Sequence, residues 1–264
     1  MSKAKKILLG GGISIVALII IIALIVGAFL GSIVKVGVEK ALPPITGTRV
    51  SLGSVGYSLI GSSVTIKDFV IYNPEGYKSE YAFKLGELHI DVDVGSLFSD
   101  KIVINKFLVD GMNVCYEQGL TTSNIYEIKK NVDKFGEAGA KAAKEEDKKK
   151  EPAKPGEGAT TPTKQKRFQI GSLDFQNNNV IILTKISGQA AVKAPMPPIH
   201  MKNLGMDNKE GDTAYEMAPK IFLTIVKSTV QAVRDSSVDV GSKTLDSLEK
   251  GASGVIDGVK SFFK

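Results

Sequence analysis

Tryptophan is absent, cysteine occurs once, histidine twice, and aromatic residues make up 7% of the 264-residue chain. So few rings argue against a platform on which nucleic-acid bases stack, and no nucleic-acid partner is expected. Cys115 has no second cysteine with which to form an internal disulfide. Within Met112-Asn113-Val114-Cys115-Tyr116 it reads as a buried strand thiol, with a reactive or intermolecular thiol as the alternative. His89 and His200 have no metal-ligand spacing with each other or with Cys115, so neither metal nor cofactor is expected. Asp91 and Asp93 share a face near His89. A weak cation site there competes with the simple alternation of an exposed polar strand face. Phosphate loops, nucleophile elbows and paired-histidine motifs are also missing, and a nucleophile without an organised base does not make a catalytic site. The expectation is a protein that is not an enzyme.

One thing is abundant at the start: residues without charge. Lys3, Lys5 and Lys6 precede Ile7–Val34, where no side chain is charged. About 20 apolar helical residues cross a hydrocarbon core of about 30 Å, so this stretch predicts a transmembrane anchor. Lysines on the short side predict a cytoplasmic tail over residues 1–6 and a C-terminal bulk outside the cytosol. A cleaved signal peptide is the competing possibility, but its apolar region usually spans about 7–15 residues. The formal net charge of +6 lies largely in this flank and in one lysine-rich tract, so it does not describe a basic binding face.

From Thr48 the pattern has period two. Leu88, Ile90, Val92 and Val94 alternate with His89, Asp91 and Asp93, which gives a sheet with one apolar face. Val64 and Ile66 give way to Phe69 and Ile71 across Lys67-Asp68. Ile102 and Ile104 give way to Phe107 and Val109 across Asn105-Lys106, and Ile170 gives way to Leu173 and Phe175. One-residue phase slips of this kind predict β-bulges. Turn signals at Gly61-Ser62, Asn73-Pro74-Glu75-Gly76 and Ser99-Asp100 divide residues up to Tyr116 into four strands of an antiparallel meander. Three or four more strands between Arg167 and Met206 extend the same sheet.

Helical spacing of Ile125, Ile128, Val132 and Phe135 predicts a helix over 122–135, followed by a Lys-, Glu-, Ala- and Pro-rich linker over 136–166 that buries too little to order itself. Two amphipathic helices fill 212–264. The first carries Ile221, Phe222, Ile225, Val226, Val230 and Val233. The second carries Leu245, Leu248, Ala252, Val255, Ile256, Val259, Phe262 and Phe263. They either pack on the sheet or lie on a membrane surface.

The run Gly47-Thr48-Arg49-Val50-Ser51-Leu52-Gly53-Ser54-Val55, placed directly after the apolar helix, precedes Ile66-Lys67-Asp68-Phe69-Val70-Ile71-Tyr72-Asn73-Pro74-Glu75-Gly76-Tyr77. Followed by Ala82-Phe83-Lys84-Leu85-Gly86-Glu87-Leu88 and by Ser99-Asp100-Lys101-Ile102-Val103-Ile104 leading to Val109-Asp110-Gly111, these segments in this order resemble the N-terminal unit of AsmA-like proteins over about residues 1–117, and more loosely over 167–206. The resemblance implies an α+β fold: a transmembrane helix, then a strongly twisted antiparallel β-groove over 45–206, closed or flanked by the C-terminal helices. It also implies a bacterial inner-membrane, periplasmic protein that binds or locally hands over phospholipid. Groove-lining candidates are Val64, Ile66, Phe69, Ile71, Leu88, Ile90, Val92, Ile102, Ile104, Phe107 and Val109. The alternative is an assembly factor for envelope or outer-membrane proteins, recruiting a protein partner, with the sheet closed by its own helices. Seven or eight strands about 4.8 Å apart span only about 35–40 Å, so any lipid handling would be local.

Overall fold

The computed structural model describes residues 31–32, 34–58, 61–119, 121–148, 165–183, 191–238, 240 and 245. Residues 34–41 form a helix (α1), followed by a single turn at Pro43–Thr46 (α2) that ends on Gly47 in the left-handed region, φ 72°. One sheet takes up most of the remaining chain. Its strands are β1 (Val50–Ser51), β2 (Ser54–Ser58), β3 (Ser63–Tyr72), β4 (Tyr81–Val92), β5 (Lys101–Asp110), β6 (Asn113–Glu117), β7 (Arg167–Gln176), β8 (Asn179–Leu183), β9 (Val192–Pro195), β10 (Ile199–Leu204) and β11 (Asp212–Thr213). Helix α3 (Asn124–Lys148) lies between β6 and β7, and α4 (Ala214–Asp235) follows β11.

The eleven strands reduce to fewer long, bent ribbons. β5 pairs with β4 from Glu87↔Asp110 to Val92↔Ile104, and β6 continues along the same edge at Lys84↔Asn113 and Phe83↔Val114. β5 and β6 are therefore one strand bent at Gly111, whose φ of 73° a residue with a Cβ rarely adopts. β7 and β8 run alongside as a second bent strand, with the bend at Asn177, φ 55°. β9 and β10 form a third, bent between Pro195 and Ile199. β1 and β2 line the outer edge of β3 and break at Leu52-Gly53, opposite Asp68 at φ 53°. The bends are in register. Gly53 N–H donates to Lys67 and Asp68 O, Gly86 N–H to Gly111 O, Gly111 N–H to Gln176 O, and Met196 N–H to Asn178 O. A crease thus crosses the whole sheet and gives it a concave apolar face.

The phase slips in the sequence correspond to real irregularities. Asp68 is the slip between Ile66 and Phe69, and the β4–β5 register shifts between Asp91 and Val92, opposite the Ile104-to-Phe107 slip. Gly171 sits in register between Asn105 and Asn203, the latter at φ 56°.

The antiparallel groove is corrected to a mixed sheet, because β5–β7 and β6–β8 are parallel pairs. The cause is the connection. After β6 the chain crosses through α3 and starts β7 beside the start of β5, with Arg167 opposite Lys101, and such a crossover delivers a parallel strand where a tight hairpin delivers an antiparallel one. Helix α3 also passes the expected end at Phe135 and continues to Lys148. The alanine, lysine and glutamate that marked this stretch as linker are strong helix formers.

Helix α4 opens with a capping box, in which Thr213 Oγ1 accepts the Glu216 N–H and the Glu216 carboxylate accepts the Thr213 N–H. It buries Met217, Leu223, Val226, Val230 and Val233 and packs along α3, where Phe135 stacks on Tyr215 at 4.2 Å between centroids. The second amphipathic C-terminal helix, apart from Val240 and Leu245, lies outside the described residues, as does 149–164 of the linker.

Among the described residues no helix is long and apolar enough to cross a membrane. The expected single-pass anchor over 7–34 is corrected to that extent: no described helix spans a membrane, and residues 1–30 and 33 of that stretch lie outside the described residues.

Candidate functional site

The concave face of the sheet, the α1 end and α4 line a partly open cavity of about 310 Å³. Its position follows from the bulges. Each slip turns the next pair of apolar side chains back onto the same face, so Ile66 and Phe69, or Leu85 and Leu88, point the same way despite odd spacing. Seven of the predicted lining residues form its sheet wall: Ile66, Phe69, Ile71, Leu88, Ile90, Phe107 and Val109. Val64, Val92, Ile102 and Ile104 are not in the wall. Val64 is paired with Ile90, and Val92 with Ile104, in the half of the sheet nearer the 3-10 turn Val94–Phe98.

Periodicity along the chain does not reveal the rest of the wall. Phe83, Leu85 and Met112 complete it around the crease, and Leu173 and Phe175 close it from β7. Leu173 and Phe175 carry a period-two signal, but nothing local places β7 next to β5. Val38 on α1, Leu42 just after it, and Ile221, Phe222 and Ile225 on α4 form the roof. Phe222 meets Phe83 edge-on at 5.6 Å between centroids.

Every wall side chain is apolar. Among the described residues that line it there is no acid, base, nucleophile or metal ligand, and no donor or acceptor side chain for a charged headgroup. It is about twice the ~150 Å³ of an engineered apolar cavity that takes one benzene, and lies at the lower end of the ~300–1,000 Å³ usual for ligand sites.

A second cluster lies where β6 meets α3. Buried Glu117 accepts the Lys78 N–H, the Ser79 N–H and the Ser79 hydroxyl at 2.7–2.9 Å, which pins the β3–β4 loop. Burial pushes the neighbouring Tyr77 and Tyr116 phenols up to about 12, and raises the Cys115 thiol above its ordinary value. Cys115 is 4% exposed, so both access and thiolate formation are suppressed. The expected outcome is that an aromatic disulfide reagent leaves the folded protein unlabelled and titrates one thiol per chain in denaturant. Rapid labelling of the folded chain would contradict the buried assignment.

On the convex face His89 pairs with Asp91 at 2.8 Å and His200 with Asp174 at 2.9 Å. Asp93 caps the following 3-10 turn, its Oδ1 accepting the Gly95 and Ser96 N–H groups. Among the described residues no group of three or more His, Cys, Asp or Glu is placed to hold a metal ion.

No protein-family model matches the chain, and no curated protein and no solved structure matches it. The resemblance to AsmA-like proteins is therefore corrected: the shared strand-and-turn pattern is what any bulged, half-buried sheet produces. The inner-membrane, periplasmic placement, the phospholipid transfer, the envelope assembly role and the envelope partner rested on that resemblance and on the anchor, and they fall with them.

Proposed function

We propose that this chain is a non-catalytic binding module that takes one small apolar molecule, or the apolar part of a larger one, into the cavity between its creased sheet and its two roofing helices. The observation that carries this is the cavity of about 310 Å³ with wholly apolar walls. Burying apolar surface there stabilises the complex by about 25 cal/mol per Å² removed from water. A charged group inside the cavity would be desolvated with nothing to pair with, so the part of the ligand that enters is uncharged. The room available suits about two benzene-sized groups. That the described wall residues include no acid, base or nucleophile supports binding without chemistry.

The test is titration of the full chain with N-phenyl-1-naphthylamine, a neutral apolar dye that brightens when desolvated. Saturable binding in roughly the micromolar range is expected for a ligand of this size. Ile225→Trp, which fills the cavity from α4, is expected to weaken binding at least tenfold while the protein stays folded. Equal affinity in both proteins, or no binding to the folded wild type, would sink the proposal.

A further inference from the structure

Among the described residues the exposed large apolar side chains are Val36, Val94, Leu97, Phe98 and Met206, and all but Val36 lie at one end of the sheet. Val94, Leu97 and Phe98 belong to the 3-10 turn that joins β4 to β5, and Phe98 is 90% exposed. Met206 follows β10 in the neighbouring turn, which Lys101 Nζ reaches by donating to Lys209 O at 3.2 Å. Lys101 is in register with Arg167, and Asp212 with Phe168, so the starts of β5 and β7 and the 205–211 turn share this end.

The 3-10 turn reverses the ordinary polarity of a loop, which turns polar side chains to water and apolar ones inward. Asp93 Oδ1 accepts the Gly95 and Ser96 N–H groups. Buried Ser96 donates its hydroxyl to Asp93 O at 2.6 Å and accepts the Val103 N–H at 2.9 Å. The Ser99 hydroxyl donates to Ser96 O at 2.9 Å and accepts the Lys101 N–H at 3.2 Å. From β7 and the residue before it, the Arg167 N–H donates to Asp100 O, and Lys166 Nζ to Ser99 O. Polar side chains thus hold the turn's own backbone, and apolar ones are left outside.

A lipid interface and an apolar protein pocket could each receive such a tip, and the turn's chemistry favours lipid. Hydrocarbon offers no hydrogen bonds, so backbone groups that approach it must already be paired. A protein interface carries about one hydrogen bond per 100–200 Å² and needs donors and acceptors turned outward. Lys101, Lys166 and Lys209 stand behind the tip, where long stems let ammonium groups reach headgroup phosphates. Asp207 and Glu210 flank Lys209 in the same turn, so the rim is not strongly cationic. Insertion of apolar side chains, more than charge, carries the contact.

We propose that this end of the sheet docks on a lipid–water interface, with Leu97 and Phe98 entering the apolar layer and the three lysines at headgroup level. It is a surface contact that needs no membrane-spanning helix, and it stands whether or not the cavity binds a ligand.

The chain contains no tryptophan, so Phe98→Trp makes the tip its only indole. Glu75→Trp, made separately, places the indole at an exposed position of the β3–β4 loop, at the other end of β4. Each full-length protein is mixed with phosphatidylcholine vesicles, with and without brominated acyl chains. Emission from position 98 is expected to shift to the blue by about 10 nm or more and to lose at least about half its intensity to bromine, because an inserted ring leaves water. Emission from position 75 is expected to do neither. Adding Leu97→Asp to the Phe98→Trp protein should restore the vesicle-free spectrum, since a carboxylate resists entry into hydrocarbon. Both signals are local, so attachment of the chain through another segment would leave the two positions alike. An aqueous spectrum at position 98 on vesicles, as a tip built for a protein pocket would give, or equal bromine quenching at both positions, would overturn the docking.

Discussion

Replacing Asn124 with alanine is expected to lower the unfolding free energy by about 3–5 kcal/mol, the largest single effect we anticipate. Asn124 is fully buried at the start of α3. Its Nδ2 donates to Asn73 Oδ1 and to Cys115 O, each at 2.7 Å, and its Oδ1 accepts the Glu117 N–H at 2.9 Å and the Ile125 N–H at 2.8 Å. One side chain thus ties the end of β6, the β3–β4 loop and the first turn of α3. Alanine leaves Cys115 O and the Glu117 N–H without this partner in a site closed to water, and each such loss costs about 1–3 kcal/mol. The check is urea denaturation followed by circular dichroism: the midpoint should fall with little change in slope. A shift below about 1 kcal/mol would mean that water reaches the cluster.

Gly139→Val should be the second large effect, with a loss of about 3 kcal/mol. In a helix interior, glycine normally costs about 1 kcal/mol relative to alanine, so replacing it is ordinarily favourable. Here the close contact outweighs propensity. A Cβ on Gly139 would lie 2.0 Å from Tyr215 Cγ, and Tyr215 cannot retreat easily because it stacks on Phe135 and sits in the first turn of α4. The helices must separate, at about 1–3 kcal/mol for overpacking, and valine is in addition a poorer helix former. Thermal melting should show the loss, and dye binding should weaken as α4 lifts off the sheet. Gly37→Ala should have the opposite sign, because open space surrounds that position. Together the pair separates backbone propensity from steric contact.

Much of the site is legible in the amino-acid sequence. Seven of eleven candidate lining residues fall in the cavity wall, because the rule that puts them there, alternation with a slip at each bulge, depends only on neighbours in the chain. Val64, Val92, Ile102 and Ile104 obey the same rule and are still not wall residues. Alternation identifies a face, not which part of it a helix covers. The AsmA-like resemblance failed on the same ground: a strand, a bulge and an Asn-Pro-Glu-Gly turn are local solutions that unrelated sheets can share.

By itself the sequence determined which side chains face inward, where the strands are irregular, and that the chain carries no phosphate loop or paired-histidine motif. Each is a short-range property: backbone period, steric tolerance at Asp68 or Gly111, and the chemistry of the residues present. Only the tertiary structure decided that β7 runs parallel to β5, that the bends align into one crease, and that α1 and α4 roof the concave face. Strand order and helix docking are settled by which distant surfaces bury most apolar area together. That free energy exists only once residues as far apart as Leu42, Phe107 and Phe222 meet around the same space.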